Sequence, residues 1–330
     1  MQIYFGPIRD VPSWPWVGRD VAEFLSAEHT IRYFNDLTDI DDDSLVFWVK
    51  CPLRDQDAAA VLEKKLRIVF FPVDVFLGYD HIAECRDFID ACRLIVLHSR
   101  SMARLFPGKK IRFVDHYNKY GVSHQERQPN GSLVWIGAYQ YFPYIVRYML
   151  ENGFHGKGNI ISLTNFNSPT AIDAANQLSQ SLDLGIDFGD LRDLSDFSII
   201  EWSERSQREL LLTCSGAFDY KDDLDFNQIH KPPTKLQKFL CSHIPCAING
   251  SSPLRSILGF DLCDILDFDT WFSGDYQNLV SRHGVALSRR LRLENIARKY
   301  VEFAEEVSPI TMDSAMLEDN CDYGLYLCDE

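Results

Sequence analysis

The stretch 226-FNQIHKPPTKLQKFLCSHIPCAIN-249 decides how the rest of the chain is read. Lys231-Pro232-Pro233 is a stiff, extended approach, because each proline fixes its own φ and pushes the preceding residue out of the helical region. Thr234 and Gln237 then have the Thr-x-x-Gln spacing of a capping box, which predicts a helix starting at Thr234. Leu236, Phe239 and Leu240 form an apolar stripe, with Lys235 and Lys238 on another face. The helix is expected to end near His243, ahead of Pro245 and a short buried strand, Cys246-Ala247-Ile248. A helix start with free backbone donors and lysines beside it suits a phosphate or diphosphate. The same residues also describe an ordinary helix start whose lysines are solvated.

Outward from that stretch, the chain alternates short apolar runs with helical patterns. Ile3-Tyr4-Phe5 is a strand broken by Gly6-Pro7, followed by a loop carrying Arg9 and a helix from about Val17 to Leu25. Strands are expected at Ile31–Phe34, Leu45–Val49, Ile68–Phe71, Leu94–Leu97 and Ile111–Val114, with helices at Ala58–Leu66 and Ile82–Cys92. After the polar stretch Gly121–Gly131 a second series begins. It has strands at Leu133–Ile136, Ile160–Leu163 and Phe197–Trp202, and helices at Phe142–Leu150, Ala171–Leu182 and Ser206–Leu212. One long helix is expected from Ala286 to Glu306. This rhythm predicts α/β architecture with two Rossmann-like domains. The first spans 1–122, 123–131 is a linker, and the second spans 132–285. Residues 286–307 form a helix packing back on the first domain, and 308–330 an acidic tail.

In such sheets ligands bind beyond the carboxyl ends of the strands. Gly6, Arg9, Asp74, His98 and His116 share that edge in the first series, though each taken singly also fits a turn or a satisfied loop residue. The acidic loop Asp219–Asp225 offers carboxylates to a metal, but a charge run before a turn is usually a solvated face.

Bulk properties narrow the function. At 330 residues and net charge −15, the chain lacks the basic surface on which nucleic-acid binding rests, so any anion must be held locally. Nine cysteines without a Cys-x-x-Cys pair fit reduced thiols in the cytoplasm better than a disulfide framework or a zinc site. No secretory signal or membrane span is expected, which leaves peripheral membrane contact open.

Glu201-Trp202-Ser203, the helix after it, and Gly216–Gly250 resemble the donor-side segment of GT-B glycosyltransferases related to the group-1 (family 4-like) enzymes. Those enzymes carry a Lys-Leu-x-x-Phe/Tyr-x-x-x-Gly-x-Pro stretch. The resemblance implies transfer of a sugar from a nucleotide-diphosphate sugar to a saccharide, lipid-linked or other hydroxyl acceptor. It implies a retaining reaction, and a positively charged site standing in for a metal, with no cofactor. On this reading Gly6, Arg9, Gly137, Asp219, Asn227, Lys231, Thr234 and Lys235 bind the donor, and Asp74 or His116 serves the acceptor. The chain departs from the family at His230 and Lys238, where two glutamates are usual, and at His243, where glycine is usual. Basic residues often found soon after the second domain's first strand are also missing past Gly137. These departures keep a second reading in play, a non-catalytic sugar-nucleotide binder or degenerate homologue. An epimerase or phosphorylase of the same architecture is a third.

Overall fold

The computed structural model describes residues 1–308, apart from 12, 154–158, 191–193, 195, 196, 223, 224 and 258. Asp223 and Leu224 of the acidic loop, and all but the first residue of the expected acidic tail, lie outside the described residues. Two six-stranded parallel sheets carry the fold. The first has the order β2-β1-β3-β4-β5-β6, built from β1 (Gln2–Gly6), β2 (Thr30–Tyr33), β3 (Leu45–Val49), β4 (Arg67–Phe71), β5 (Leu94–Leu97) and β6 (Ile111–Phe113). The second has the order β14-β11-β10-β7-β8-β9. Its strands are β7 (Ser132–Ile136), β8 (Asn159–Thr164), β9 (Phe197–Glu201), β10 (Gly216–Asp219), β11 (Cys246–Ile248) and β14 (Cys263–Asp264). A small antiparallel pair, β12 (Ser256–Ile257) and β13 (Phe260–Asp261), precedes β14.

Continuous apolar strands such as LVFWV and RIVFF follow from burial on both faces. With a side-chain period of two, Ile3, Phe5, Phe47 and Phe71 line one face of the first sheet. Tyr4, Val46, Trp48 and Phe70 line the other. The second of these faces packs with residues of α2 (Asp55–Glu63), α3 (Tyr79–Ala83) and α4 (Arg86–Ala91). The first packs with α1 (Asp20–Leu25) and α12 (Leu293–Val307). Tyr300 of α12 stacks on Phe71 at 4.7 Å and donates its hydroxyl to the Val17 carbonyl at 3.0 Å. The last helix is thereby fixed to the first lobe. The second sheet is flanked by α5 (Phe142–Glu151), α6 (Pro169–Ser181), α7 (Glu204–Thr213), α9 (Thr234–Cys241), α10 (Phe268–Trp271) and α11 (Gly274–Arg290), while α8 (Phe226–His230) meets the first lobe, its Phe226 ring 5.3 Å from that of Tyr79.

Two expected helices are broken. Ile82–Cys92 divides at Glu84-Cys85 into α3 and α4. The long Ala286–Glu306 helix divides at Leu291-Arg292, where Arg292 is extended (φ −67°, ψ 144°). The second break has a tertiary cause. Leu291 is 1% exposed, and its carbonyl accepts the Asn118 N–H at 2.9 Å, joining the chain to the first lobe where a continuous helix would keep that carbonyl for itself. The polar stretch between the two sheets is also tied down. The Arg127 guanidinium donates to the carbonyls of His243 (2.7 Å) and Cys214 (2.6 Å), both in the second lobe.

Candidate active site

In each sheet strand order reverses once, between β1 and β3 in the first and between β7 and β10 in the second. Loops diverge at such a reversal and leave a crevice at the carboxyl ends of the strands. Asp219 ends β10 at the second reversal, only 2% exposed. The Lys221 ammonium lies 2.8 Å from one of its oxygens and that of Lys235 3.0 Å from the other. Burial by itself would raise the Asp219 carboxyl, but the two lysines outweigh it and hold the group below its ordinary value. One carboxylate shared by two ammoniums leaves the cluster net positive. Burial drives Lys235 down to about 7 even with Asp219 beside it, helped by repulsion from Lys221 and Lys231. Although 28% of the Lys235 side chain is accessible, its ammonium is seated against a carboxylate that is not. Lys231 is lowered to about 8, again chiefly by burial. Its ammonium lies 3.8 Å from the centre of the Tyr141 ring, and that of Lys235 5.2 Å from the Trp135 ring, both within cation–π range.

The helix start differs from its sequence reading. Pro233, not Thr234, holds the N-cap position of α9, and no side chain caps it. Both residues of the expected capping box are spent on the first lobe instead. Thr234 Oγ1 shares a 2.7 Å hydrogen bond with His116 Nδ1, and Gln237 Nε2 donates to Asp115 Oδ1 at 2.8 Å. Solvated lysines are likewise ruled out for this helix. Lys238 is 6% exposed, its ammonium 2.9 Å from Gln207 Oε1 and over the rings of Trp16 and Tyr120 of the first lobe, and burial lowers it to about 7. The helix does end where expected, with His243 in the left-handed region (φ 57°).

Facing this cluster is the carboxyl edge of the first sheet. Lys50 follows β3 and Asp74 follows β4, paired at 2.8 Å. Lys50 and Cys51 (φ 57° and 41°) and Val73 (φ 58°) all have left-handed backbones. For a β-branched residue that is strained, and strain of this kind collects at functional edges. His98 and His116 follow β5 and β6, both buried, with ring centres 4.2 Å apart. Burial lowers both. His98 falls to about 4, and His116 well below its ordinary value, pressed further by His98 and Lys50.

The other expected donor residues separate into two groups. Asn227 belongs to the site, since its Nδ2 donates to the Asp74 carbonyl at 3.0 Å across the lobes. Gly6, Gly137 and Arg9 serve the fold as it stands. A Cβ on Gly6 would lie 2.4 Å from the Phe34 carbonyl, and one on Gly137 2.1 Å from the Trp135 indole. Arg9 is exposed and donates to the carbonyls of Ile8 and of Asn35, just past the edge strand β2. In the acidic loop, Asp219 is an internal counter-ion and Asp225 caps α8 by accepting the Gln228 N–H, so neither is part of a solvated face. Among the described residues no cluster of three or more His, Cys, Asp or Glu side chains could hold a metal ion.

The lobes meet closely. Besides the α9 contacts, Ser101 Oγ donates to the Ile229 carbonyl and bonds His230 Nδ1, and Tyr120 donates to Glu204. A cavity of about 10 Å³ remains in the seam, lined by Trp16, His116, Tyr120, Thr234 and Lys238 among others. It admits at most a single water. Sequence reasoning missed Lys50, Lys221, Trp135 and Tyr141. Lys50 was within reach, because it follows a recognised strand at the edge already scanned for ligands.

No protein-family model and no curated protein matches this sequence. Solved structures do. AviGT4, a glycosyltransferase involved in avilamycin A biosynthesis, aligns over 93% of this chain and 97% of its own, with TM-score 0.52 and 11% identity. An α,α-trehalose 6-phosphate synthase from Burkholderia multivorans aligns over 83% of this chain and 72% of its own, with TM-score 0.54 and 11% identity. The Gap123 glycosylation-associated complex from Streptococcus agalactiae aligns over 82% of this chain, which spans 55% of that one, with TM-score 0.47 and 9% identity. At such identities the likeness is one of fold. The two parallel α/β lobes have the GT-B architecture of glycosyltransferases.

Proposed function

We propose that this chain is a GT-B glycosyltransferase, moving a sugar from a nucleotide-diphosphate sugar to a hydroxyl acceptor. The observation that carries the reading is the single carboxylate of Asp219 held by Lys221 and Lys235, with Lys231 within electrostatic reach of Asp219 and Lys221, at the reversal point of the second sheet. A diphosphate drawn to that group would complete its charge balance. As the sugar leaves, negative charge grows on the diphosphate, and ammoniums already in place stabilise it without reorganising. Their charge takes the part a divalent metal plays elsewhere, so the reaction is metal-independent. In a retaining reaction the departing diphosphate itself accepts the acceptor's proton. In an inverting one Asp74 or His116 would. His116 is bonded across the seam to Thr234, and the seam holds a cavity of only about 10 Å³, so the lobes must part before a nucleotide sugar enters.

The seven described cysteines are free, and no described helix is long and apolar enough to cross a membrane. We place the protein in the cytoplasm, in peripheral contact with a membrane where its acceptor is lipid-linked. The test is a thermal-shift and calorimetric screen over nucleoside diphosphates. A ligand that binds only the folded state raises the melting temperature, and Lys235→Ala should weaken that ligand at least about tenfold, as expected for one lost charge-assisted contact. No binding in the panel, or unchanged affinity in the variant, would remove the proposal.

A second reading has its own observation. Lys238 and His230, which stand where the family has glutamates, are committed to Gln207 and Ser101. A chain that binds a sugar nucleotide but does not transfer it would keep the lysine cluster and dispense with both carboxylates. Binding without donor hydrolysis or transfer, across a broad acceptor panel, would favour it.

A further inference from the structure

We infer that His98 and His116 form a subsite for one hydroxyl group, which donates its hydrogen to His98 Nε2 and accepts one from His116 Nε2. His98 Nδ1 lies 2.8 Å from the Val114 carbonyl. A carbonyl only accepts, so Nδ1 carries the proton and Nε2 is left as a bare lone pair. That nitrogen is buried with no hydrogen-bond partner, and so is His116 Nε2. The residues are 6% and 5% exposed. A buried polar atom left unpaired is costly, and two in adjoining rings mark a place where a small polar group belongs. When Thr234 donates its hydroxyl hydrogen to His116 Nδ1, the proton of His116 sits on Nε2. The pair then offers one acceptor and one donor, the complement of a hydroxyl and of neither a carboxylate nor an ammonium.

The neighbours sharpen the assignment. Asp74 is paired with Lys50 and His116 Nδ1 with Thr234, while His98 Nε2 has no partner. Phe71, stacked on His98 at 6.3 Å, holds the ring in place. His98 stays neutral far below pH 7, so its lone pair remains available across the physiological range. Within the transferase reading above, on which this step rests for the owner of the hydroxyl, the group is the acceptor's. His98 orients it toward the lysine-held donor once the lobes part.

Nitrogen-15 NMR of the histidine side chains tests the assignment on the full chain. Wild-type protein and His98→Asn are titrated with methyl α-glucoside, maltose and glycerol, each with and without uridine diphosphate. Asn keeps a donor for the Val114 carbonyl but lacks the second nitrogen. The expected result is a neutral His98 protonated on Nδ1, whose Nε2 signal shifts together with that of His116 as a saccharide binds. His230 should serve as the unmoved control. In His98→Asn the saccharide affinity should fall at least tenfold while diphosphate affinity is unchanged. A proton on Nε2, a pair indifferent to every polyol because a water keeps the place, or wild-type saccharide affinity in the variant would overturn the inference. Failure of the diphosphate to bind would defeat the transferase reading alone, since the saccharide titrations report on the histidines directly.

Discussion

Binding of a diphosphate should draw protons into the protein, and the amount follows from the lysine cluster. In the free protein Lys235 is lowered to about 7 and Lys231 to about 8. At pH 8 the first is therefore roughly nine-tenths neutral and the second about half. Phosphate esters have lost their last proton well below that pH, with a second pKa of about 6, so the ligand contributes little. A bound dianion restores both lysines toward the ordinary lysine value, since an opposite charge within a few ångströms favours the ammonium form. Uptake should therefore be about 1.4 protons per diphosphate at pH 8, and the dissociation constant should rise roughly 25-fold between about pH 7.5 and 8.5. The sign is set by the depressed values of the free state: affinity is greatest at or below pH 7 and is lost as pH rises. Calorimetry in two buffers of different ionisation enthalpy counts the protons, and Lys235→Met should remove more than half of them. An affinity flat from pH 7 to 9, with no uptake, would show that the ligand does not meet these lysines.

Three further outcomes follow. Gly137→Ala puts a Cβ 2.1 Å from the Trp135 indole, and displacing that ring should cost about 1–3 kcal/mol in urea unfolding while also weakening diphosphate binding, because Trp135 roofs Lys235. Thr234→Val removes the hydrogen bond to His116 and should destabilise the closed form by about 1–3 kcal/mol, seen as a larger radius of gyration by solution scattering. An unchanged radius and stability would mean that this contact does not hold the lobes together. Acid should also weaken the fold through His98. Its folded value of about 4 lies below the ordinary 6.5, so the unfolded chain takes up a proton that the folded one refuses. The stability present above pH 6.5 is lost as pH falls toward 4, by ~3 kcal/mol, and His98→Asn should flatten that dependence.

Pattern and period alone determined the two α/β series, the strand ends carrying Asp74, His116 and Gly137, and the helix beginning at Thr234. Apolar runs closed by Gly, Pro or a polar residue state locally where a strand must stop. The helix end near His243 was legible for the same reason. Pairing was not legible. Thr234 and Gln237 satisfy a local rule for capping, yet their partners are His116 and Asp115, more than a hundred positions away, and the better-placed partners won. The burial of Lys238 beneath rings of the other lobe and the break at Leu291 are of the same kind. Each depends on how closely the two sheets approach, a distance that no stretch of sequence carries and that only the packed structure sets.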